Sequence, residues 1–288
     1  MWETFLDWDS NKWDEGAVEK AYTQFLKQVL GVNRSTTTSF VRAEIGRHSL
    51  QEEILRRNIK YARYLHDKEE SAYVKQAYDY EVSRDNRSKS FLNTMNRHAD
   101  IYEISGSFKP YANPFENLYR LGDDNLKLVT RRLFHNIWSK QIQSSPKADT
   151  FRLFKFSVQF EPYLLHKYRK ERVSLTKLRL SDHKLMIEEA RHYRPKPPRE
   201  ERKCYMCHQE TESEVHFMTE CKIYGTHTHY WNKIFDKCPN LRNLSNQDRF
   251  IYLMIQEDVD ITNIVLKMTS EWFSLRRLLC DYFFQPKA

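Results

Sequence analysis

The sequence predicts a mainly α-helical fold, with helical bundle-like segments and a small Cys/Cys/His/Cys module inserted before the last helices. Three observations support this prediction. The 288 residues include only 6 glycines against 17 tyrosines and 17 phenylalanines, and helices accept long side chains more readily than glycine. Apolar residues recur at intervals of three and four, which is the period of an amphipathic helix. Four residues of metal-binding types lie close together in residues 204–221.

The N-terminal region, residues 1–110, is predicted to consist of several helices. In the first of them, apolar residues from Val18 to Leu30 fall on one helical face, and Gly31 follows where a left-handed C-cap is favoured. The serine and threonine run at 35–39 supplies an N-cap for the second helix. The predicted helices are 18–30, a helix carrying Phe40, Val41 and Ile45, then 51–68, 71–82 and 89–104, and residues 105–113 are predicted to be a loop.

The later regions are separated by a proline-rich and a cysteine-rich segment. Residues 111–192 form a second predicted helical region, with amphipathic helices from Leu126 to Ile142 and after Ser174. Three prolines then favour an extended Pro/Arg-rich tether. The tether spans 193–203, the Cys/Cys/His/Cys module spans 204–224, and a C-terminal helical region at 225–288 contains predicted helices 246–256 and 261–283.

The Cys/Cys/His/Cys module is the most specific signal in the sequence. Cys204, Cys207, His216 and Cys221 are spaced Cys-x2-Cys-x8-His-x4-Cys. Two cysteines separated by two residues can bind one ion from a tight turn, and a His and a Cys five positions apart can do so from the start of a helix. Four such ligands close a tetrahedral structural zinc site without an open catalytic position. The predicted cofactor is therefore Zn2+, whereas a disulfide or three unrelated buried thiols fit the spacing less well.

Positive charge is concentrated directly before this module. The net charge of the chain is +8, and residues 163–203 contain 13 Lys or Arg against 6 Asp or Glu. A basic stretch is commonly a solvated face, but beside such a module it favours phosphate contacts, because Lys and Arg release counterions from a nucleic-acid backbone. We therefore predict that this stretch binds RNA or single-stranded DNA. The predicted contacts are Arg191, Arg194, Lys196, Arg199, Arg202 and Lys203, with Tyr193 and Tyr205 either stacking on bases or packing against the module.

Cysteine usage and hydropathy bear on location. Cys238 and Cys280 are left over from the metal motif, which is typical of a reducing compartment rather than of a disulfide framework. The longest apolar run, residues 250–255, is too short to cross a bilayer, and the first residues lack the pattern of a signal peptide. We predict an intracellular protein of the nucleus or cytoplasm that does not contact membranes.

No catalytic motif is recognised, and we predict that the chain is not an enzyme. Asp123 and Asp124 invite comparison with the paired aspartates that bind two metal ions in polymerases. That chemistry requires a β-hairpin and a third carboxylate, whereas this pair precedes a helical pattern. We therefore predict that the aspartates start a helix, with one of them as its N-cap.

Three blocks of the sequence are informative in combination. They are VEKAYTQFLKQVLGVNRSTTTSFVRAEIGRHSL at 18–50, LTKLRLSDHKLMIEEARHYRPKPPREERKCYMC at 175–207 and VHFMTECKIY at 215–224. Together they resemble the C-terminal region of non-LTR (LINE-type) retrotransposon reverse transcriptases. The first resembles the segment that follows the polymerase core, and the other two resemble the block leading into the terminal Cys/Cys/His/Cys motif and the close of that motif. The similarity covers most of the chain and is weakest at 73–146.

The resemblance implies a helical, zinc-containing fragment that helps to bind element RNA and target DNA. The metal ligands of the family fall on Cys204, Cys207, His216 and Cys221. Its polymerase aspartates match nothing in this chain, so polymerase and endonuclease activity are not implied. Two alternatives stay open: a structural or protein-interaction module stapled by zinc, and a truncated element copy without function.

Overall fold

The computed structural model describes residues 16–83, 121–225 and 228–283. Within these ranges the chain forms helices, turns and two isolated β-bridges but no extended strand, which confirms the mainly α-helical prediction. The described residues also include a π-helix, His216–Glu220. The α-helices are α1 (Ala17–Leu30), α2 (Thr38–Ile45), α3 (Leu50–His66), α4 (Tyr73–Ser83), α5 (Asp123–Ser144), α6 (Arg169–Arg179), α7 (Met186–Glu189), α8 (Lys222–Gly225), α9 (Thr228–Lys237), α10 (Asn246–Ile255) and α11 (Val259–Phe283).

The described residues belong to two compact units. The first unit contains those before Thr23 and those between His48 and Lys140. The second contains those from Thr23 to Arg47 and those from Gln141 onwards. The five regions predicted from the sequence stay a prediction.

In the first unit, α3 and α5 bury apolar faces against each other. Leu55, Ile59 and Ala62 of α3 follow the three- and four-residue spacing of an amphipathic helix. They pack with Leu126 and Phe134 of α5, and all five side chains are buried. This apolar contact is the core of the first unit.

The aspartate pair lies in the first turn of α5, so it starts a helix as predicted. The prediction that one aspartate is the N-cap is wrong, because that position is held by Gly122, whose carbonyl accepts the amide of Leu126 at 2.9 Å. Asp123 accepts hydrogen bonds from Lys60 Nζ at 2.5 Å and from Arg63 Nη2 at 2.6 Å. These bonds lower the pKa of Asp123, because they stabilise its carboxylate form. The carboxylate of Asp123 therefore binds two basic side chains of α3.

In the second unit, α6 packs along the long helix α11, which α9 and α10 also contact. Aromatic side chains contact one another in the core of the same unit. The ring centroids of Phe40 and Phe151 are stacked 4.3 Å apart, and those of Phe154 and Phe250 meet edge to face at 6.1 Å. This helical frame carries the Cys/Cys/His/Cys segment.

A buried ion pair joins α2 to α6 within the same unit. Glu44 is fully buried, accepts a hydrogen bond from the hydroxyl of Tyr163 at 2.7 Å and pairs with Arg179 Nε. Arg179 also donates to the carbonyl of Met254 at 2.6 Å and pairs with Glu161 at 3.0 Å. Burial lowers the pKa of Arg179, but the two carboxylates raise it by more, so the guanidinium stays charged. One arginine of the basic stretch 163–203 is therefore buried inside the fold.

Gly31 ends α1 in the left-handed conformation that the sequence predicts, with φ of 71°. A Cβ atom at this position would lie only 2.7 Å from Cγ2 of Val173, so close approach also requires glycine here. The apolar face predicted for α1 is only partly correct. Leu26 is buried as predicted, but Phe25 is 60% exposed. Lys27 is buried instead, and its Nζ donates a hydrogen bond to the backbone carbonyl of Arg34 at 2.7 Å.

The helix predictions succeed where apolar spacing is regular over several turns. The prediction misses α9 and the π-helix, and α6 begins at Arg169, earlier than its predicted start after Ser174. None of the described helices combines the length and apolar character needed to cross a bilayer. The predicted helix 89–104 and loop 105–113 lie outside the described residues. Predicted helices 51–68, 71–82, 126–142, 246–256 and 261–283 correspond to α3, α4, α5, α10 and α11.

Candidate metal centre

Cys204 and Cys207 lie in a tight turn closed by backbone contacts. The amide of His208 donates to the carbonyl of Cys204 at 2.8 Å, and a β-bridge between Lys203 and Thr211 joins the two ends of the turn. His208 has a left-handed φ of 55°, which lets the chain reverse within a few residues. The turn brings both thiols to one ion site, as the Cys-x2-Cys spacing predicts.

His216 and Cys221 are brought together by the π-helix His216–Glu220. The amide of Cys221 donates to the carbonyl of His216 at 3.0 Å, which is the five-residue bond of a π-helix. In an α-helix, residues five apart point in different directions, whereas the wider π turn brings them close to one side. The sequence predicts a helix start here, and the structure adds the wider turn.

The side chains of Cys204, Cys207, His216 and Cys221 form a group that can hold a metal ion, with all four donor atoms within 4.8 Å of one another. Cys204 Sγ lies 3.9 Å from Cys221 Sγ, and Cys207 Sγ lies 3.4 Å from His216 Nε2. A tetrahedral zinc ion with ordinary bond lengths separates two sulfurs by about 3.8 Å and a sulfur from a nitrogen by about 3.6 Å. The donor types and these two distances therefore fit one tetrahedral ion.

Burial gives this centre the character of a structural site. Cys204, His216 and Cys221 are buried, and Cys207 is half-buried. Because four protein side chains complete a tetrahedron, a substrate water has no coordination position. The centre therefore suits an ion that organises the chain rather than one that activates a substrate.

A carboxylate outside the ligand group orients the histidine. Glu220 Oε2 lies 3.3 Å from Nδ1 of His216, which leaves Nε2 directed at the cysteines. Burial lowers the pKa of His216, but the neighbouring Cys204 and Cys207 raise it to about 9 in the metal-free protein. A metal ion must displace this proton, because a ligand histidine is neutral.

Backbone amides favour the thiolate forms of two ligands. The amide of Met206 donates to Cys204 Sγ at 3.4 Å, and the amides of Ile223 and Tyr224 donate to Cys221. The hydrogen bond from Cys204 is the main cause that lowers the pKa of Cys221, and the same bond raises the pKa of Cys204 to about 12. Metal binding would release the proton of Cys204, because a cysteine ligand is a thiolate.

Sequence reasoning missed a buried carboxylate in the loop between Cys207 and His216. Glu212 is fully buried and accepts hydrogen bonds from Nε and Nη2 of Arg276 in α11, both at 2.8 Å. It also accepts the amide of Met186 at 2.7 Å. Burial lowers the pKa of Arg276, but Glu212 raises it overall, so the guanidinium stays charged. This pair ties the metal-binding loop to the longest helix of the unit.

Glu214 is a second anchor that sequence reasoning missed. Its carboxylate accepts hydrogen bonds from Thr150 Oγ1 at 2.8 Å and Ser181 Oγ at 2.9 Å, and it lies 3.1 Å from His183 Nε2. Burial raises the pKa of Glu214, but these partners, led by His183, lower it to about 2. The only sequence signal is the alternation of glutamates at 210, 212 and 214, which does not reveal that two of them are buried.

The structure corrects the expected role of Arg202. Its side chain is buried, and Nη1 donates to the carbonyl of Ile187 at 2.7 Å, so it is not available to a phosphate. In an extended segment, neighbouring side chains point to opposite sides. Because Cys204 must face the other ligands, Arg202 also faces inwards, and Lys203 between them is exposed.

The other predicted contacts differ in how freely they meet solvent. Arg191 is half-buried and pairs with Glu188 at 2.9 Å, whereas Arg199 is exposed and pairs with Asp149 at 2.8 Å. The remaining three are exposed, and no carboxylate of the described residues pairs with them. We refer to the four exposed residues as the basic surface: Arg194, Lys196, Arg199 and Lys203.

Tyr193 and Tyr205 contact each other. Their hydroxyl oxygens are 2.9 Å apart, and the guanidinium carbon of Arg276 lies 5.7 Å from the ring centroid of Tyr205. These contacts favour the packing role for Tyr205 over base stacking. The tether that begins at Tyr193 contains a single 3₁₀ turn at Arg199–Glu201, so only part of it is extended.

No protein-family model matches this chain, and comparisons with curated proteins and with solved structures gave no match. The metal centre and the basic side chains beside it are therefore the features from which a function can be inferred.

Proposed function

We propose that this chain is a zinc-containing module that binds RNA or single-stranded DNA, related to the C-terminal region of LINE-type reverse transcriptases and without polymerase or endonuclease activity. Zinc is the proposed ion because three thiolates and one imidazole in a tetrahedron suit Zn2+, whereas Mg2+ takes oxygen ligands in an octahedron. The resemblance of the blocks at 18–50, 175–207 and 215–224 supports the proposed relationship.

The position of the basic surface carries the proposal for nucleic acid. Its four residues are exposed and directly precede Cys204. Lys203 is held by the β-bridge to Thr211 that closes the cysteine turn, so an ion that fixes the turn also fixes Lys203. Cations that are already positioned lose less conformational freedom when they bind a phosphate backbone.

The proposed role of the ion is to fold the segment. Metal binding at a closed site contributes folding free energy, because the ligands do not converge in the unfolded chain. Glu212 and Glu214 join the loop between the second and third ligands to the helices of the second unit. Folding of the Cys/Cys/His/Cys segment is thereby coupled to the position of the tether.

Binding of a fluorescent single-stranded oligonucleotide at several salt concentrations tests this function. Each neutralised phosphate contributes roughly 0.7 to 0.9 to the slope of log affinity against log salt, so four basic residues predict a slope of about −3. Zinc should be present at about one ion per chain, and a chelator should weaken binding. Binding that does not change with salt, or no binding at micromolar protein, contradicts the proposal.

A structural or protein-interaction module stapled by zinc is the second candidate. The observation that favours it is the inward direction of Arg202 and Arg276, which bind carbonyl and carboxylate oxygens of the chain itself. Under this alternative, zinc holds the tether against the helices and the exposed cations are a solvated face. Metal stoichiometry would be unchanged, but oligonucleotide binding would be absent.

A further inference from the structure

A cavity of about 380 Å³ adjoins the metal centre and shares Cys221 with it. This volume is in the range of small-ligand sites in proteins. The cavity is lined by one turn of π-helix and by residues from three α-helices, and π-helical turns frequently occur at functional sites. We refer to it as the aromatic cavity, and its lining includes Phe217, Met218, Glu220, Lys222, Trp231 and Trp272.

The inner wall of the aromatic cavity is held by ring contacts. Phe217 and Trp272 are fully or almost fully buried and meet edge to face, with centroids 5.9 Å apart. Phe217 also stacks on Phe273 at 4.7 Å, and Trp272 stacks on Tyr224 at 5.8 Å. Because each ring is fixed by its neighbours, this wall has little freedom to collapse into the cavity.

Trp272 also has a hydrogen-bond donor without an acceptor. Its side chain is 2% exposed, and no atom of the described residues accepts a bond from its Nε1. Buried indole N–H groups usually have a partner, since leaving a buried donor unpaired is unfavourable. This group has almost no accessible surface, so it belongs to the buried wall of the aromatic cavity and is not offered to a ligand.

The outer part of the cavity combines an aromatic ring with charged groups. Trp231 is half-buried, and its ring is supported by Phe235 with centroids 5.2 Å apart. Glu220 and Lys222 are exposed, so the lining reaches the protein surface. Glu220 contacts His216 Nδ1 at 3.3 Å, and Lys222 has no carboxylate partner among the described residues.

We propose that the aromatic cavity receives one unpaired nucleobase of the bound strand, with Lys222 placed to meet an adjacent phosphate. A nucleobase is planar, which suits stacking on Trp231. Its amino or imino donors suit the carboxylate of Glu220. The inference deepens the proposed nucleic-acid binding and rests on it, since the basic surface supplies the phosphate contacts and the cavity adds contacts with a base.

The test compares an eight-nucleotide single strand with a strand of the same length in which every site is abasic. Both carry the same phosphates, so the basic surface binds them alike, and only the cavity distinguishes them. Stacking of one base predicts roughly tenfold tighter binding of the intact strand at equal salt. Trp231→Ala should remove this preference, and Trp231→Phe should retain most of it.

Two further variants test the polar contacts. Trp272→Phe removes the buried indole N–H but keeps a ring, and it should leave the preference for the intact strand unchanged. Lys222→Ala should weaken both strands more than Lys233→Ala, a matched removal of an exposed lysine on α9 that does not line the cavity. Thermal unfolding of each variant verifies that it is folded.

The outcomes separate this inference from the proposed function. Equal, salt-sensitive binding of the intact and abasic strands overturns the cavity site and leaves nucleic-acid binding by the basic surface intact. If neither strand binds, the proposed function fails. In that case a titration with adenosine 5′-monophosphate decides about the cavity: quenching of tryptophan fluorescence that is lost in Trp231→Ala supports a base site, and no quenching overturns it.

Discussion

Arg202 and Lys203 are adjacent in sequence and opposite in role. Arg202 belongs to a buried set of arginines, with Arg179 and Arg276, whose guanidinium groups bind oxygens of the chain itself. Lys203 belongs to the basic surface, whose cations face solvent. The buried arginines bind groups beside the metal-binding segment, whereas the cations of the basic surface are exposed, and of these only Arg199 pairs with a carboxylate of the described residues. The comparison teaches that the positive charge counted in a sequence is not the positive charge on its surface.

Removal of a metal ligand tests the metal-binding segment, which lies beside both the buried arginines and the basic surface. Of the changes considered, it has the largest expected effect on stability. Cys207→Ser or His216→Ala should lose the ion and destabilise the segment by several kcal/mol, because structural zinc contributes about 10 kcal/mol or more in small modules. Elemental analysis after gel filtration measures the metal. Cys238→Ser and Cys280→Ser are the controls and should keep it, since neither residue belongs to the ligand group. Full retention of metal in both ligand variants would refute the site.

Breaking one buried ion pair tests the contribution of the buried arginines to stability. Arg276→Ala leaves the buried carboxylate of Glu212 without its ion-pair partner, and we expect a loss of about 3–5 kcal/mol of unfolding free energy. Urea unfolding of the metal-loaded protein measures the loss. The double variant Glu212→Gln with Arg276→Met should cost less than the single one, because no unpaired charge remains. A cost below about 1 kcal/mol for Arg276→Ala would show that the pair does not anchor the loop.

A direct comparison of the neighbours uses the same substitution at both positions. Arg202→Met should cost about 1–3 kcal/mol, because the buried carbonyl of Ile187 loses its donor. Lys203→Met should stay within about 0.5 kcal/mol, because this side chain is exposed. An equal loss of unfolding free energy in the two variants, measured by urea unfolding, would show that the buried arginines and the basic surface do not differ in their contribution to stability.

Charge reversal of the basic surface has the smallest expected effect on stability and the largest on binding. With glutamate at Arg194, Lys196, Arg199 and Lys203, the unfolding midpoint should change little, while the salt slope should rise from about −3 towards zero. The control reverses four exposed cations of α5 in the first unit, Lys127, Arg131, Arg132 and Lys140. An equal loss of oligonucleotide affinity in both variants would mean that only net charge matters and not its position.

Local chemistry was sufficient to predict the metal centre. The four candidate ligands follow from their spacing, because two cysteines separated by two residues can bind one ion from a tight turn. The regular helices were predicted for a similar reason, since spacings such as Leu55, Ile59 and Ala62 record which face is buried. The irregular π-helix was not predictable from such patterns, because its wide turn is held by ligand positions and packing rather than by side-chain periodicity.

Whether each charged side chain is buried or exposed could not be predicted from the sequence. Whether Glu212 or Arg202 is buried depends on partners that lie far away in the chain, such as Arg276, or on the direction of a neighbouring ligand. The aromatic cavity likewise brings together rings from the π-helix, α9 and α11. Sequence by itself determined the helical class and the ligand set, because both are short-range patterns. Tertiary structure alone decided which cations face solvent, because burial of a charge is settled by the distant groups that pair with it.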